Sequence, residues 1–465
     1  MDLNKTVCAL ATPPGQGGIA VVRVSGPQAY AVTAQVFQPL HAEKRVQDAR
    51  GYTALLGHYR LRGQEMDETI ALFFRAPHSY TGEDVVELSV HGGDAMAEGL
   101  LEALYLAGCA PAGPGEFTRR AVLNGRMDLT QAEAVMEIIA ASGRQGAALA
   151  KTALDGALAK TIAGIRSRLQ TLSAHLTAWI DYPEEDVPEL APGELTAALG
   201  SAKAQLDALI DGYGAGAVLR RGVDCVLLGR PNVGKSTLLN LLAGFERAIV
   251  TPVAGTTRDV VEQAVQLGDI RLNLFDTAGV REVGPEGDAI EAEGIRRSWN
   301  KLDEAGLVLA VFEAGAPLSA EDRALAARCE GRPAIAILNK QDLQPGAAAL
   351  AAQQEALRPY FRRLLPLTAK DPASLPVLAQ AVAELLGAAQ VDTGAAALCR
   401  ARPLAAATAG RAALAAAIDS PRQGLGPDAA GVCLADAQRA LAELTGEDAG
   451  EATLDEVFST FCVGK

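Results

Sequence analysis

The chain has few cysteines, and they show no regular spacing. No two form a C-x-x-C pair, and the seven stand at positions 8, 109, 225, 329, 399, 433 and 462 of the 465 residues. An odd, scattered set argues against a disulfide framework and against a zinc site. We therefore expect reduced thiols.

Long apolar runs are also missing. The longest, such as 307–312, are far shorter than the ~20 residues of a membrane-spanning helix. Near the start, Asp2 and the pair Pro13-Pro14 interrupt the chain before an apolar stretch develops, so we expect no signal peptide. These absences predict a cytoplasmic protein that does not span a membrane.

A surplus of basic residues is missing too. The 42 Lys and Arg are outnumbered by 56 Asp and Glu, which gives a formal net charge of −14. Proteins that bind nucleic acid unaided usually carry a basic surface, so this balance argues against a free-standing nucleic-acid binder. If RNA is the substrate, we expect a partner to hold most of it.

The chain does contain one stretch with phosphate-binding spacing. Gly229-Arg-Pro-Asn-Val-Gly-Lys-Ser-Thr237 has the P-loop pattern and lies between a strand pattern and a helix pattern. The alternative is an ordinary Gly-rich turn. In a P-loop, backbone N–H groups hold the β-phosphate, Lys235 reaches the β- and γ-phosphates, and the Ser236 hydroxyl binds Mg²⁺.

Further motifs follow in the order that a GTPase requires. A strand pattern ends at Asp276, near the expected Mg²⁺, and a switch-type segment carries Thr257, which would close over that ion. Asp342, after an apolar strand, can accept hydrogen bonds from the N1–H and the amine of guanine, and adenine offers no such pair of donors. Together these motifs favour a GTPase over a chance turn. The expected GTP contacts are Asn232, Val233, Gly234, Lys235, Ser236, Thr237, Thr251, Pro252, Val253, Ala254, Gly255, Thr256, Thr257, Asp276, Thr277, Ala278, Gly279, Asn339, Lys340, Asp342, Thr368, Ala369 and Lys370.

The residue that orients the attacking water is not evident from the motifs. Many GTPases have a Gln just after the Asp-x-x-Gly motif, and Val280 stands there instead. Arg258 or Arg281 could act as an arginine finger in cis. A run of acids downstream offers further candidates, namely Glu282, Glu286, Asp288, Glu291 and Glu293.

Composition and periodicity divide the chain into four stretches. Residues 1–120 mix strand patterns with Gly- and Pro-rich turns, which predicts an α+β domain. Residues 121–217 and 388–465 are Ala-rich with leucines at helical spacing, and residues 218–387 carry the GTPase motifs. We therefore expect a doubly wound α/β G domain inserted into a discontinuous all-helical domain. The Gly-rich segment 211–216 is a plausible boundary.

Two charges lie inside apolar strand patterns of the N-terminal stretch. Arg23 and Glu87 would be costly there unless they are paired or face solvent. Three nearby motifs are either turns or parts of a site: 11–18, 79–84 and 91–93.

At this point the chain resembles the tRNA-modification GTPases called MnmE or TrmE, over essentially its whole length. The resemblance implies an N-terminal folate-binding, dimerising domain, a discontinuous helical domain and an inserted Ras-like G domain. It rests, besides the GTPase motifs, on Ala11-Thr-Pro-Pro-Gly-Gln-Gly-Gly-Ile-Ala20, Ser79-Tyr-Thr-Gly-Glu-Asp84, His91-Gly-Gly93, Gly115-Glu-Phe-Thr118, Asp128-Leu-Thr-Gln-Ala-Glu133 and Phe461-Cys-Val-Gly-Lys465.

The resemblance also implies a chemistry. Members form homodimers, bind formyl-tetrahydrofolate and act with the FAD-dependent partner MnmG (GidA) in a heterotetramer-type complex. The two proteins add an aminomethyl-type (carboxymethylaminomethyl) group at C5 of wobble uridine in certain tRNAs, with a one-carbon unit from the folate. Cys462 is a candidate for this chemistry, and an inert thiol is the alternative. By motif, the folate contacts are Arg23, Glu87, Arg126 and Lys465.

Family members activate GTP hydrolysis with K⁺ and G-domain dimerisation instead of an arginine finger. By motif, Glu291 would orient the water, which would account for Val280. The chain departs from the usual pattern at Arg126, where a Lys is usual, at Thr368, where a Ser is common, and in a longer switch loop at 283–287. The K⁺ ligands would be Asn232, Thr251, Val253 and Thr256.

Two other functions are compatible with parts of the sequence. One is a regulatory G-protein switch, for example in ribosome assembly, but a pure switch would not need Arg23, Glu87 or Lys465. The other is a folate-handling scaffold with a degenerate GTPase, which the intact nucleotide motifs disfavour.

Overall fold

The computed structural model describes residues 2–141, 143–181, 192–245, 263–276, 302–420, 423–425 and 427–465. These residues form two compact units. The first unit comprises 1–136, 159–196 and 405–465, and the second comprises 137–158 and 197–404. The predicted domain bounds remain a prediction.

Strands and helices are numbered in chain order. The strands are β1 Val7–Leu10, β2 Ile19–Ser25, β3 Phe37–Pro39, β4 Thr53–Leu61, β5 Gln64–Phe74, β6 Val85–His91, β7 Ala110–Pro111, β8 Val223–Leu228, β9 Gln263–Leu267, β10 Ile270–Asp276, β11 Leu307–Glu313, β12 Ala334–Asn339 and β13 Arg363–Pro366. The helices are α1 Ala29–Val36, α2 Asp94–Leu106, α3 Glu116–Leu123, α4 Leu129–Ala140, α5 Arg144–Leu154, α6 Ala157–Asp181, α7 Pro192–Asp211, α8 Tyr213–Arg221, α9 Lys235–Phe245, α10 Ala320–Arg328, α11 Ala347–Leu357, α12 Ser374–Leu385, α13 Ala401–Asp419, α14 Pro427–Thr445 and α15 Glu451–Ser459.

The first unit begins with a seven-stranded sheet in the order β3-β4-β5-β6-β2-β1-β7. Helices α1 and α2 cover one face of this sheet. On that face Ala20, Val22 and Val24 of β2 pack in one hydrophobic core with residues of both helices. Successive strand residues point to opposite faces, so Arg23 lies on the other face. There it stands directly opposite Glu87 in the antiparallel β2–β6 register. The strand pairing therefore brings together the two charges that the sequence singled out.

Helices that precede and follow the stretch with the GTPase motifs belong to the same unit. The Asp128 carboxylate accepts hydrogen bonds from the N–H groups of Thr130 and Gln131, which caps the start of α4. Further along, Arg166 of α6 pairs with Glu447, just after α14. This contact confirms the expected discontinuous helical part.

The second unit contains a six-stranded sheet in the order β13-β12-β11-β8-β10-β9. All neighbours are parallel except β9, which is antiparallel to β10. β12 is an unbroken apolar run before Asn339 and is buried along its whole length, as expected of a strand covered on both faces. The multidomain α/β and α fold class is therefore confirmed.

The Gly-rich segment 211–216 differs from its expected form, because helix α8 begins within it at Tyr213. The glycines of this segment do not form a turn, since Gly214 and Gly216 lie inside α8. The close approach of the two helices depends on a glycine of α5, because a Cβ at Gly146 would lie 2.4 Å from the Leu219 carbonyl oxygen of α8. Gly146 thus lets α5 and α8 pack closely.

Candidate active site

The P-loop follows the central strand β8, whose neighbours β11 and β10 lie on opposite sides of it. Ligands in open α/β sheets bind at such a point, outside the carboxyl ends of the strands. The loop fits tightly there. A Cβ at Gly229 would lie 2.4 Å from the Val311 carbonyl oxygen, so only glycine fits, and the expected helix follows as α9, which begins at Lys235.

Asn339 joins three predicted motifs through its buried side-chain amide. Its Nδ2 donates to the Val233 carbonyl oxygen in the P-loop at 2.9 Å. Its Oδ1 accepts from the Ala369 N–H at 2.8 Å. A Cβ at Gly234 would lie 2.1 Å from Asn339 Nδ2, so this packing excludes a side chain there. One amide therefore fixes both the phosphate loop and the loop expected beside the base.

The cleft beside these loops is built from the predicted base-binding motifs. Lys340 adopts a left-handed φ of 69°, and its amine donates to Glu313 Oε2 at 2.8 Å. A short 3₁₀ turn, Gln341–Leu343, then presents Asp342. The residues that line this cleft are Gly234, Thr237, Asn339, Lys340, Asp342, Leu343, Thr368, Ala369 and Lys370.

Several other predicted nucleotide contacts lie among the described residues. Ser236 lies in the first turn of α9, and the Lys235 amine donates to the carbonyl oxygens of Gly229 and Arg230, so it spans the loop. Asn232 has a left-handed φ of 63°. Strand β10 ends at Asp276 as predicted. The remaining predicted positions, 251–257, 277–279 and Glu291, lie outside the described residues, as do Arg258 and Arg281.

One ion pair that supports the P-loop was not predicted from the sequence. Arg230 Nε donates to Asp322 Oδ1 at 2.8 Å, and Asp322 is almost completely buried. The same carboxylate accepts from the Ser319 N–H and hydroxyl, where it completes a capping box at the start of α10. A Ser-x-x-Asp pattern at 319–322 was the available clue.

A second candidate site lies around Arg23 in the first unit. Its Nε and Nη2 both lie 2.8 Å from Glu87 Oε1, and its Nη1 donates to the Gly464 carbonyl oxygen at 3.3 Å. The guanidinium also stacks near two rings, 5.1 Å from the Tyr80 centroid and 5.4 Å from that of Phe117. Neither ring was assigned a role from the sequence, although Tyr80 belongs to the motif at 79–84 and Phe117 to the motif at 115–118.

The C-terminal tail completes this site. The Phe117 N–H donates to the Lys465 carbonyl oxygen at 3.2 Å, and a Cβ at Gly464 would lie 2.2 Å from the Leu10 carbonyl oxygen. The pKa of the Lys465 amine is lowered, mainly by burial and to a smaller extent by the neighbouring Arg23 guanidinium. An anionic ligand group would offset both effects, so the residues fit a ligand that carries a carboxylate.

Arg126 and Cys462, the other two residues expected to take part in folate binding or its chemistry, lie differently. The Arg126 guanidinium is exposed and donates through Nε to the Ser79 carbonyl oxygen at 3.1 Å, beside Tyr80. Cys462 is exposed, and its carbonyl oxygen accepts from the Gly115 N–H. All seven cysteines lie among the described residues, where none forms a disulfide, and five of them are buried.

A parallel sheet with a P-loop at its topological switch point and a guanine-type motif on a nearby strand end defines a P-loop GTPase. A family profile described as the MnmE helical domain matches residues 129–462, and one described as the GTP-binding protein TrmE N-terminus matches residues 6–126. The chain belongs to the MnmE (TrmE) family of tRNA modification GTPases.

Individual relatives match over the full chain. A tRNA modification GTPase MnmE of Symbiobacterium thermophilum is 42% identical over 464 residues, covering 99% of this chain and 100% of that protein. MnmE of Chloroflexus aurantiacus is 40% identical over 467 residues, covering 100% of both. Among solved structures, Aquifex aeolicus Era bound to GDP and AlF₄⁻ is 25% identical, covers 41% of this chain and 66% of that one, and has a TM-score of 0.29.

Membership of a GTPase family implies GTP and Mg²⁺ as ligands of the cleft. The residues fit these ligands, because Gly229 and Gly234 of the P-loop leave no room for a side chain and Ser236 lies at the start of α9. No helix in the described part of the chain is long and apolar enough to cross a membrane.

Proposed function

We propose that this chain is a K⁺-activated GTPase of the cytoplasm that works as a homodimer in tRNA wobble-uridine modification. With an FAD-dependent partner of the MnmG (GidA) type, it adds a carboxymethylaminomethyl-type group at C5 of the uridine. A formyl-tetrahydrofolate supplies the one-carbon unit. The tRNA is held largely by the partner, in line with the net charge of −14. The observation that carries the proposal is that one chain combines a guanine-type cleft with the Arg23 site.

The Arg23 site supports a folate in particular. Tyr80, which is only partly buried, offers flat apolar surface, and aromatic side chains favour planar partners such as a pterin ring. The Phe117 ring is fully buried and packs against the Arg23 guanidinium. Glu87 can accept hydrogen bonds from pterin N–H groups, while Arg23 and the half-buried Lys465 amine favour the carboxylates of the glutamate tail. A regulatory switch would have no use for this arrangement.

Folate binding is therefore the first test. We expect Arg23→Gln to weaken binding of 5-formyl-tetrahydrofolate roughly 10²-fold, because it removes a charge-assisted pair and leaves Glu87 without its partner. Isothermal titration calorimetry on the full chain measures this. Arg62→Gln, at an exposed arginine that pairs with Glu102, is the matched control. Unchanged folate binding in Arg23→Gln would remove the proposed site, and no binding by the unaltered chain would favour the regulatory switch.

Potassium dependence is the second test. We propose that Asn232 and the residues Thr251, Val253 and Thr256 hold K⁺, and that Glu291 orients the attacking water. A cation there offsets charge that develops between the β- and γ-phosphates, as an arginine finger does. We expect GTP hydrolysis to be at least roughly 10-fold faster in KCl than in NaCl at equal ionic strength, and Glu291→Ala to lose roughly 10²-fold or more of it while GTP binding persists.

Each alternative outcome of the potassium test has a definite meaning. Equal rates in the two salts would contradict K⁺ activation and would shift the role to Arg258, Arg281 or a separate activator. A K⁺ response that survives Glu291→Ala would place the catalytic acid at another member of the run Glu282, Glu286, Asp288 and Glu293.

A further inference from the structure

The β9–β10 hairpin connects the two stretches that carry the predicted switch motifs, 246–262 and 277–301. Its strands are paired from Gln263↔Leu274 to Leu267↔Ile270, so they form one ladder. Strand β8 accompanies β10 only from Leu272 onward. The tip of the hairpin, 266–271, therefore extends beyond β8, at the end of the ladder away from Asp276.

The hairpin tip contacts the start of helix α5, which precedes the P-loop by some eighty residues in the sequence and belongs to the same compact unit. A Cβ at Gly143, the N-cap of α5, would lie 2.6 Å from the Asp269 carbonyl oxygen and 3.1 Å from Gln266 Nε2. The two backbones thus meet with no room for a side chain. The rest of α5 is anchored separately, since Gly146 packs against Leu219 and the Thr152 hydroxyl donates to the Thr393 carbonyl oxygen at 2.7 Å.

Although this contact is tight, its hydrogen bonding is incomplete. The Gln145 N–H reaches Asp269 Oδ1 at only 3.4 Å, and Gly143 provides no side-chain cap for the helix. Gln266 Nε2 donates to the Gly268 carbonyl oxygen at 2.9 Å, but its Oε1 is buried without a hydrogen-bond partner among the described residues. The first turn of a helix offers unpaired N–H donors. A shift of the tip that brought Gln266 Oε1 to these donors would give that oxygen a hydrogen-bond partner.

We propose that helix α5 senses the nucleotide state of the G domain through this hairpin tip. The γ-phosphate and Mg²⁺ hold the switch segments of GTPases, and those segments are continuous with β9 and β10. A ladder displaced at its switch end moves its tip against the N-cap of α5. The inference rests on the proposed function, since it assigns to α5 the transmission of the GTP signal out of the G domain.

Hydrogen exchange of the full chain, read by mass spectrometry with GDP and with a non-hydrolysable GTP analogue, tests this sensing. We expect the first-turn amides of α5 to differ roughly threefold or more in exchange rate between the two nucleotides. Gly143→Ala places a methyl group where the backbones meet, and we expect it to remove this difference while nucleotide affinities change by less than about threefold. Gly450→Ala is the matched control, because Gly450 is also a helix N-cap and a Cβ built there would meet no other described atom within 4 Å.

A second variant guards against misfolding of Gly143→Ala. Asp269→Ala removes only the long hydrogen bond at the hairpin tip, and we expect it to reduce the difference in α5. A nucleotide response in 246–262 without one in α5 would overturn the inference and leave the GTPase intact. A response in α5 that survives both Gly143→Ala and Asp269→Ala would also overturn the inference. A response that Gly450→Ala abolishes would overturn it as well. Loss of response everywhere, with no GTP binding, would overturn the proposed function as well.

Discussion

Replacing Asp342 with Asn will exchange guanine for xanthine as the preferred base. The Asp342 carboxylate lines the cleft beside Lys340 and Thr368, and we expect it to accept hydrogen bonds from the N1–H and the amine of guanine. An amide loses the charge and opposes one donor with another donor. Charge-assisted hydrogen bonds contribute about 1.5–3 kcal/mol each, so GTP affinity should fall roughly 10²–10⁴-fold.

Xanthine carries a carbonyl where guanine has its amine, so an Asn at 342 can donate to it. We therefore expect Asp342→Asn to bind xanthosine triphosphate more tightly than GTP. Competition of both nucleotides against a fluorescent GDP analogue measures the two affinities. Asp371→Asn, close to the Thr368–Lys370 loop but outside the cleft lining, is the control and should keep the preference for GTP. Retention of GTP preference by Asp342→Asn would show that another group selects the base.

The nucleotide site was largely predictable because its parts follow one another along the chain with fixed spacing. Each motif comes directly after an apolar strand, and parallel strands bring their carboxyl ends to one edge of the sheet. The sequence could not show that a single amide, that of Asn339, ties the P-loop to Ala369, because this contact depends on strand order. Likewise, the Arg230–Asp322 pair joins residues that are 92 positions apart.

The N-terminal site was harder to derive from pattern alone. The sequence singled out Arg23 and Glu87 as charges inside apolar strand patterns, but only the strand register places them opposite each other. The tail residues Gly464 and Lys465 reach the site across more than 400 positions, which no local pattern reveals. Strand β4 mixes charged and glycine positions with apolar ones, and it was not predicted. The start of α8 at Tyr213 was missed because glycines usually mark turns, whereas Gly214 and Gly216 lie inside this helix.

One residue of the motif at 79–84, Glu83, belongs to a buried charge network. The Arg120 side chain is fully buried, and its guanidinium pairs with Glu83 at 3.0 Å and with Glu116 at 2.8 Å. It also donates to the Lys5 carbonyl oxygen at 3.0 Å. The Ser25 hydroxyl donates to the other Glu83 oxygen at 2.6 Å. Arg120 therefore connects α3 with the loop before β6 and with the N-terminal segment.

Removing this cation will cost far more than removing an exposed one. Arg120→Met leaves the largely buried carboxylates of Glu83 and Glu116 without their shared partner, and breaking a buried pair in this way typically costs about 3–5 kcal/mol. Arg62→Met, at an arginine whose side chain is 75% exposed, should cost less than about 1 kcal/mol. Hydrogen exchange of β2 and β6 at increasing urea concentrations compares the two free energies of opening.

A rescue experiment separates lost charge pairing from lost packing. If uncompensated carboxylates cause the loss, adding Glu83→Gln and Glu116→Gln to Arg120→Met should recover part of it, because neutral amides are cheaper to bury than unpaired charges. If packing alone were responsible, the triple variant would be no more stable than Arg120→Met. An equal, small effect of Arg120→Met and Arg62→Met would contradict a role for this network in stabilising the sheet that carries Arg23 and Glu87.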